Sequence, residues 1–116
     1  MGHLSTHVLD TVQGKPAAGI RIELFSLGKE RVQVKSIITN ADGRCDEPML
    51  ADEEMQRGEW ELVFHIGEYF RAHKVESTGV PFLNQVPVRF GIDDPDKHYH
   101  VPLLASPWSY TTYRGS

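Results

Sequence analysis

Trp60-Glu61-Leu62-Val63-Phe64-His65-Ile66 decides the fold. Trp60, Leu62, Phe64 and Ile66 fall on every second position, with Glu61, Val63 and His65 between them. Side chains of an extended chain alternate between two faces, so this period marks a strand with one face in a core. The same period returns on both sides of it. Ile20, Ile22 and Leu24 alternate with Arg21, Glu23 and Phe25, and Val86, Val88 and Phe90 alternate with Pro87, Arg89 and Gly91. Further strands are expected over 4–10, 31–39, 98–105 and 108–113. Turn signals separate them at Gln13-Gly14-Lys15-Pro16, Asn40-Ala41-Asp42-Gly43 and Asp93-Asp94-Pro95-Asp96. Residues 67–74 lack alternation and end in basic residues, which predicts a short helix, closed by Val75 and the Ser-Thr-Gly-Val-Pro loop. About seven or eight short strands with regular turns predict an all-β, two-sheet sandwich.

The chain has 116 residues, which predicts a single domain over 1–116. Hydrophobic residues at 40% and charged residues at 24% fit a soluble globular protein. A net charge of −4, with no Lys/Arg cluster, argues against a nucleic-acid partner. Cys45 is the one cysteine, so an intrachain disulfide is excluded. No apolar stretch is long enough to span a bilayer, and Met1–His7 lacks the basic and apolar regions of a secretory signal. A cytoplasmic location without a membrane partner is the expectation.

Two segments depart from a plain sandwich. On the strand over 98–105, Tyr99, Val101, Leu103 and Ala105 make one apolar face. The other face carries His98, His100, Pro102 and Leu104, a mixture suited to contact with another subunit. Pro102 has no N–H to give a neighbouring strand. The second segment is Tyr113-Arg114-Gly115-Ser116, which follows an apolar run with almost no spacer. A tail so close to packed structure is expected to dock, carrying a phenol, a guanidinium and a hydroxyl to a fixed place.

Histidine titrates near neutrality and serves often as general acid or base. The six here are His3, His7, His65, His73, His98 and His100. His7 shares a strand face with Ser5 and Leu9. His73 suits a helix C-terminus through the helix dipole. His98 and His100 share a face and could ligate zinc if a third ligand approached. The acidic stretch 42–54 does not match a calcium-binding loop. Arg44 follows the Asp42-Gly43 turn, where its planar fork suits an anionic or carbonyl-rich ligand. Cys45 has no local base to activate it. Glycine-rich phosphate loops and nucleophile elbows are absent.

Leu4-Ser5-Thr6-His7-Val8-Leu9-Asp10 resembles the N-terminal signature of the transthyretin-related enzymes, the 5-hydroxyisourate hydrolases. The run from His100-Val101-Pro102-Leu103-Leu104 to Ser116 resembles their closing motif, above all in Tyr113-Arg114-Gly115-Ser116. Asn40-Ala41-Asp42-Gly43-Arg44 and Val86-Pro87-Val88-Arg89-Phe90 also match. The resemblance spans essentially the whole chain. It implies a transthyretin-like sandwich with one short helix, assembled as a homotetramer (a dimer of dimers) with sites where two dimers meet. It places catalysis on His7, Arg44, His100 and Ser116, and substrate binding on His7, Arg44, Tyr113, Arg114, Gly115 and Ser116. It implies no metal and no organic cofactor.

The reaction implied is opening of 5-hydroxyisourate to 2-oxo-4-hydroxy-4-carboxy-5-ureidoimidazoline in urate degradation. Water adds to a ring carbonyl and the ring opens at the amide bond. That chemistry needs a base for water, an acid for the leaving nitrogen and a donor for the oxyanion. The resemblance gives the proton work to His7 and His100, and the substrate oxygens to Arg44. Tyr113 is expected to contact the bound ring, and Ser116 to complete a polar wall. Two other readings stand beside it: a carrier of a small molecule such as thyroid hormone in the same channel, and a zinc hydrolase built on His98 and His100.

Overall fold

The computed structural model describes residues 1–75 and 79–115. The regular elements among these residues are eleven strands, one short α-helix and a single 3-10 turn at Asp52–Glu54: β1 (His3–Ser5), β2 (Val8–Asp10), β3 (Lys15–Pro16), β4 (Arg21–Leu27), β5 (Arg31–Ile38), β6 (Leu50–Ala51), β7 (Gly58–His65), α1 (Ile66–Ala72), β8 (Gln85–Ile92), β9 (His98–His100), β10 (Leu103–Ala105) and β11 (Tyr110–Thr112). One sandwich layer is the antiparallel sheet β5-β4-β7-β8. The other consists of two ladders, β6-β1-β9 and β11-β10-β2-β3. The ladders are joined through their breaks, where Val101 N donates to Ser5 O at 2.9 Å and Leu103 N to His7 O at 2.8 Å. Within this layer β1 runs parallel to β9 and β2 parallel to β10.

The core lies between the layers. Leu4, Val8, Val101 and Leu103 come from one side, and Ile22, Leu24, Leu62, Phe64 and Val86 from the other. Ile66, Tyr69 and Phe70 of α1 close one end. The alternation predicted for the inner faces therefore holds. Tyr69 ties the helix down, its hydroxyl donating to the buried Asp10 carboxylate at 2.8 Å. Burial, then Asp10, pushes the Tyr69 phenol well above its ordinary range.

Several bounds differ from the sequence expectation. The strand over 4–10 is two strands, because at His7 the chain leaves β1 and pairs with Arg44 instead. The strand over 98–105 breaks at Val101-Pro102, where proline has no N–H for the ladder. Ile66 begins the helix rather than ending β7, so the helix spans Ile66–Ala72 instead of 67–74. The last strand covers only Tyr110–Thr112 of the expected 108–113. Part of the loop expected after Val75, residues 76–78, lies outside the described residues.

Candidate active site

Arg44 is set by a turn that the sequence encodes closely. The Asn40 side-chain oxygen accepts from Asp42 N at 2.9 Å and from Arg44 N at 3.1 Å. Asn40 N donates to Arg44 O at 2.8 Å, which closes the loop. Gly43 lies at φ 72°, and a Cβ there would meet Val8 O at 2.5 Å. Only glycine serves at such a position. Gly43 O then accepts from Val8 N at 2.9 Å, so the turn is hung on the start of β2. The outcome is an antiparallel bridge between His7 and Arg44, residues far apart in sequence.

His100 ends β9 and is held on two sides. Its Nδ1 lies 2.8 Å from the hydroxyl of Ser5, its register partner on β1. Its backbone bridges Gly115, with Gly115 N donating to His100 O at 2.6 Å and His100 N to Gly115 O at 3.2 Å. A Cβ on Gly115 would lie 3.1 Å from Cβ and Cδ2 of His100. The tail therefore docks, as expected, and its glycine lies against the imidazole.

The two histidines and the arginine share one electrostatic neighbourhood. Burial, then the Arg44 charge, lowers the pKa of His7, while a hydrogen bond to the Asp42 backbone and the Asp42 charge oppose the shift. Burial, then Arg44, then His7, lowers the pKa of His100. Both imidazoles are thus biased to the neutral form, in which each has a lone pair free to take a proton. An arginine beside them supplies a fixed positive charge and a planar set of donors.

The remaining expected site residues are placed as follows. The Arg114 guanidinium lies 4.2 Å above the Tyr99 ring and donates to His98 O at 3.2 Å. Tyr113 is exposed, and with Arg114 it lines a cavity of about 350 Å³ between β8 and the tail, walled by Val88, Phe90, Tyr99 and Val101. That cavity does not include His7, Arg44 or His100, which lie on the open face of the β1/β2 layer. Ser116 lies outside the described residues.

The other candidates are accounted for by their neighbours. His98 packs on His3, with ring centroids 3.7 Å apart. Among the described residues no three His, Cys, Asp or Glu side chains gather into a metal-ligating group. His65 Nε2 contacts Glu23 at 2.5 Å. His73 Nδ1 lies 2.8 Å from Tyr69 O, at the helix end. Burial pushes the Cys45 thiol up to about 11, so it is a poor nucleophile, and its sulfur lies 3.5 Å from that of Met49. Sequence reasoning missed Ser5 and the Asp42 backbone. Ser5 was on the His7 face of the first strand, yet only the parallel β1–β9 register shows that it meets His100.

The chain as a whole has close relatives among known proteins. The chain is 51% identical to the 5-hydroxyisourate hydrolase of Pseudomonas aeruginosa, over 100% of this chain and 93% of the relative. A solved (S)-allantoin synthase matches with a TM-score of 0.94 and 49% identity, covering 99% of this chain and 44% of that one. The structure of Klebsiella pneumoniae 5-hydroxyisourate hydrolase matches with a TM-score of 0.83 and 30% identity over 100% of both chains. The model of the HIUase/Transthyretin family matches residues 4–115. With the family model matching residues 4–115 and relatives about half identical along the full chain, this chain belongs to the HIUase/Transthyretin family.

Proposed function

We propose that this chain hydrolyses 5-hydroxyisourate, and that His7, Arg44 and His100 carry the reaction. The observation that supports this reading most is the meeting of those three residues, from separate segments, on one open sheet face. Water adds to a ring carbonyl while a neutral imidazole takes its proton. The Arg44 guanidinium faces the developing oxyanion. The ring C–N bond then breaks, and a protonated imidazole returns a proton to the departing nitrogen. A proton carrier and a pre-aimed cation each supply on the order of 100-fold or more. Tyr113, Arg114, Gly115 and Ser116 bind substrate in this reading, with Gly115 also holding His100.

An open sheet face does not enclose a substrate, so the missing wall comes from other subunits. The homotetramer, a dimer of dimers with sites between dimers, supplies it. Exposed Trp108, Tyr110 and Tyr113 support such contact. The cytoplasm is the proposed location; among the described residues no helix is long and apolar enough to cross a membrane. A carrier of an apolar hormone has no use for two depressed imidazoles beside a guanidinium.

The test is to add purified protein to freshly generated 5-hydroxyisourate and follow ultraviolet absorbance. Decay many-fold faster than the spontaneous rate is expected, unchanged by EDTA. Decay at the spontaneous rate rejects the activity. Loss on chelation with recovery on zinc moves the chemistry to a metal.

A further inference from the structure

We propose that Ser5 is a positioning residue that holds His100 as its Nδ1–H tautomer, leaving Nε2 as the bare nitrogen. This rests on the hydrolase reading, in which His100 takes its proton at Nε2; the contact between Ser5 and Nδ1 does not depend on it. The Ser5 hydroxyl lies 2.8 Å from His100 Nδ1. The contact is fixed by backbone, because Ser5 and His100 are register partners on parallel β1 and β9. Val101 N donates to Ser5 O at 2.9 Å, just past the pair. Among the described residues, His100 is the only hydrogen-bond partner of the Ser5 hydroxyl.

A hydroxyl can donate or accept, so the proton cycle decides which role it takes. An imidazole that gains a proton at Nε2 must carry a hydrogen on Nδ1 afterwards. The hydroxyl must then accept. If it already accepts beforehand, proton transfer needs no rearrangement around Nδ1, and the partner of one ring nitrogen sets the chemistry of the other. The tail backbone passes close to the Cδ2 edge of the ring, where a Cβ on residue 115 would lie 3.1 Å from Cδ2. With Nδ1 engaged by Ser5, Nε2 is the ring nitrogen left for a proton.

The experiment is nitrogen NMR of histidine-labelled protein, with the His100 signal identified by its loss in His100→Asn. The expected spectrum at neutral pH has a pyrrole-type Nδ1 and a pyridine-type Nε2. The opposite pattern overturns the proposal, whatever the enzyme turns over. Ser5→Ala is expected to mix the tautomers and lower kcat roughly 10- to 100-fold with little change in KM, a part of the general acid–base contribution. The acid limb of its pH profile moves to lower pH, because the imidazolium loses an acceptor. Ser5→Thr, which keeps the hydroxyl, restores both. A Ser5→Ala enzyme with wild-type tautomer and pH profile also overturns the proposal. If the wild-type protein has the expected tautomer but leaves 5-hydroxyisourate alone, the reaction is wrong and the role of Ser5 stands.

Discussion

Arg44 acts on its surroundings before any substrate arrives. Its charge helps hold His7 and His100 below the ordinary histidine pKa of about 6.5. A base whose pKa is depressed stays neutral to lower pH, so the acid limb of the activity profile is expected below about 6.5 rather than at it. Arg44→Met removes the charge, and the limb should move up toward that value. Arg44→Lys keeps the charge but not the planar fork; its limb should stay low while kcat falls. A profile that ignores both changes means Arg44 does not face the titrating group. His7→Asn and His100→Asn are each expected to lower kcat by roughly 100-fold or more with smaller effects on KM. His98→Asn should stay within a few-fold, since His98 packs on His3 outside the cluster. Equal loss at His98 and His100 in steady-state assays contradicts that division. Gly115→Ala forces a Cβ to 3.1 Å from the His100 ring. It is expected to lower kcat while leaving the melting temperature nearly unchanged.

At the scale of elements, β7 carries a second polar arrangement with no part in the reaction. Glu61 is only 3% exposed on its outer face. Arg31 Nε donates to it at 2.8 Å and Arg89 Nε at 2.9 Å, from β5 and β8 on the same sheet. Burial pushes the Glu61 pKa up, but the hydrogen bonds and charges of Arg89 and Arg31 more than offset it and hold the pKa low. A depressed carboxylate stabilises the fold above its unfolded pKa of about 4.3 and ceases to as pH falls through the lower folded value. Glu61→Gln is expected to cost about 1–2 kcal/mol at neutral pH. In denaturant titrations the gap to wild type should close at strongly acidic pH; a constant gap rules out the ion-pair explanation. The period of two read β7 correctly as a strand but not the burial of its outer face. At Glu61 the neighbours are Arg31 and Arg89 from other strands, and a pattern within one strand does not register its neighbours. β3 and β6, two residues each, were missed because so short a strand exists only through its partner. The break at Pro102 was foreshadowed by the missing N–H, yet where the ladder resumes depends on β2.

For the whole molecule, light scattering is expected to give about four chain masses at micromolar concentration. A monomer removes the wall that the open face needs. Deleting Tyr113–Ser116 should lower kcat by roughly 100-fold or more through lost positioning, with the core intact. Its circular dichroism should match wild type, because β11 ends at Thr112. The sandwich was legible because its inner faces alternate. The histidines and Arg44 were legible as residue types, and as a set only through the family motifs. Their meeting was not legible, since it depends on one bridge and one register between distant segments. The same feature has a kinetic meaning. The Ser5–His100 contact joins residues 95 apart in sequence. Such a pairing must await closure of nearly the whole chain, whereas the turns and hairpins need only local search. When protein diluted from denaturant refolds, strand signals should return first, and the ability to open the ring should return with the slowest phase.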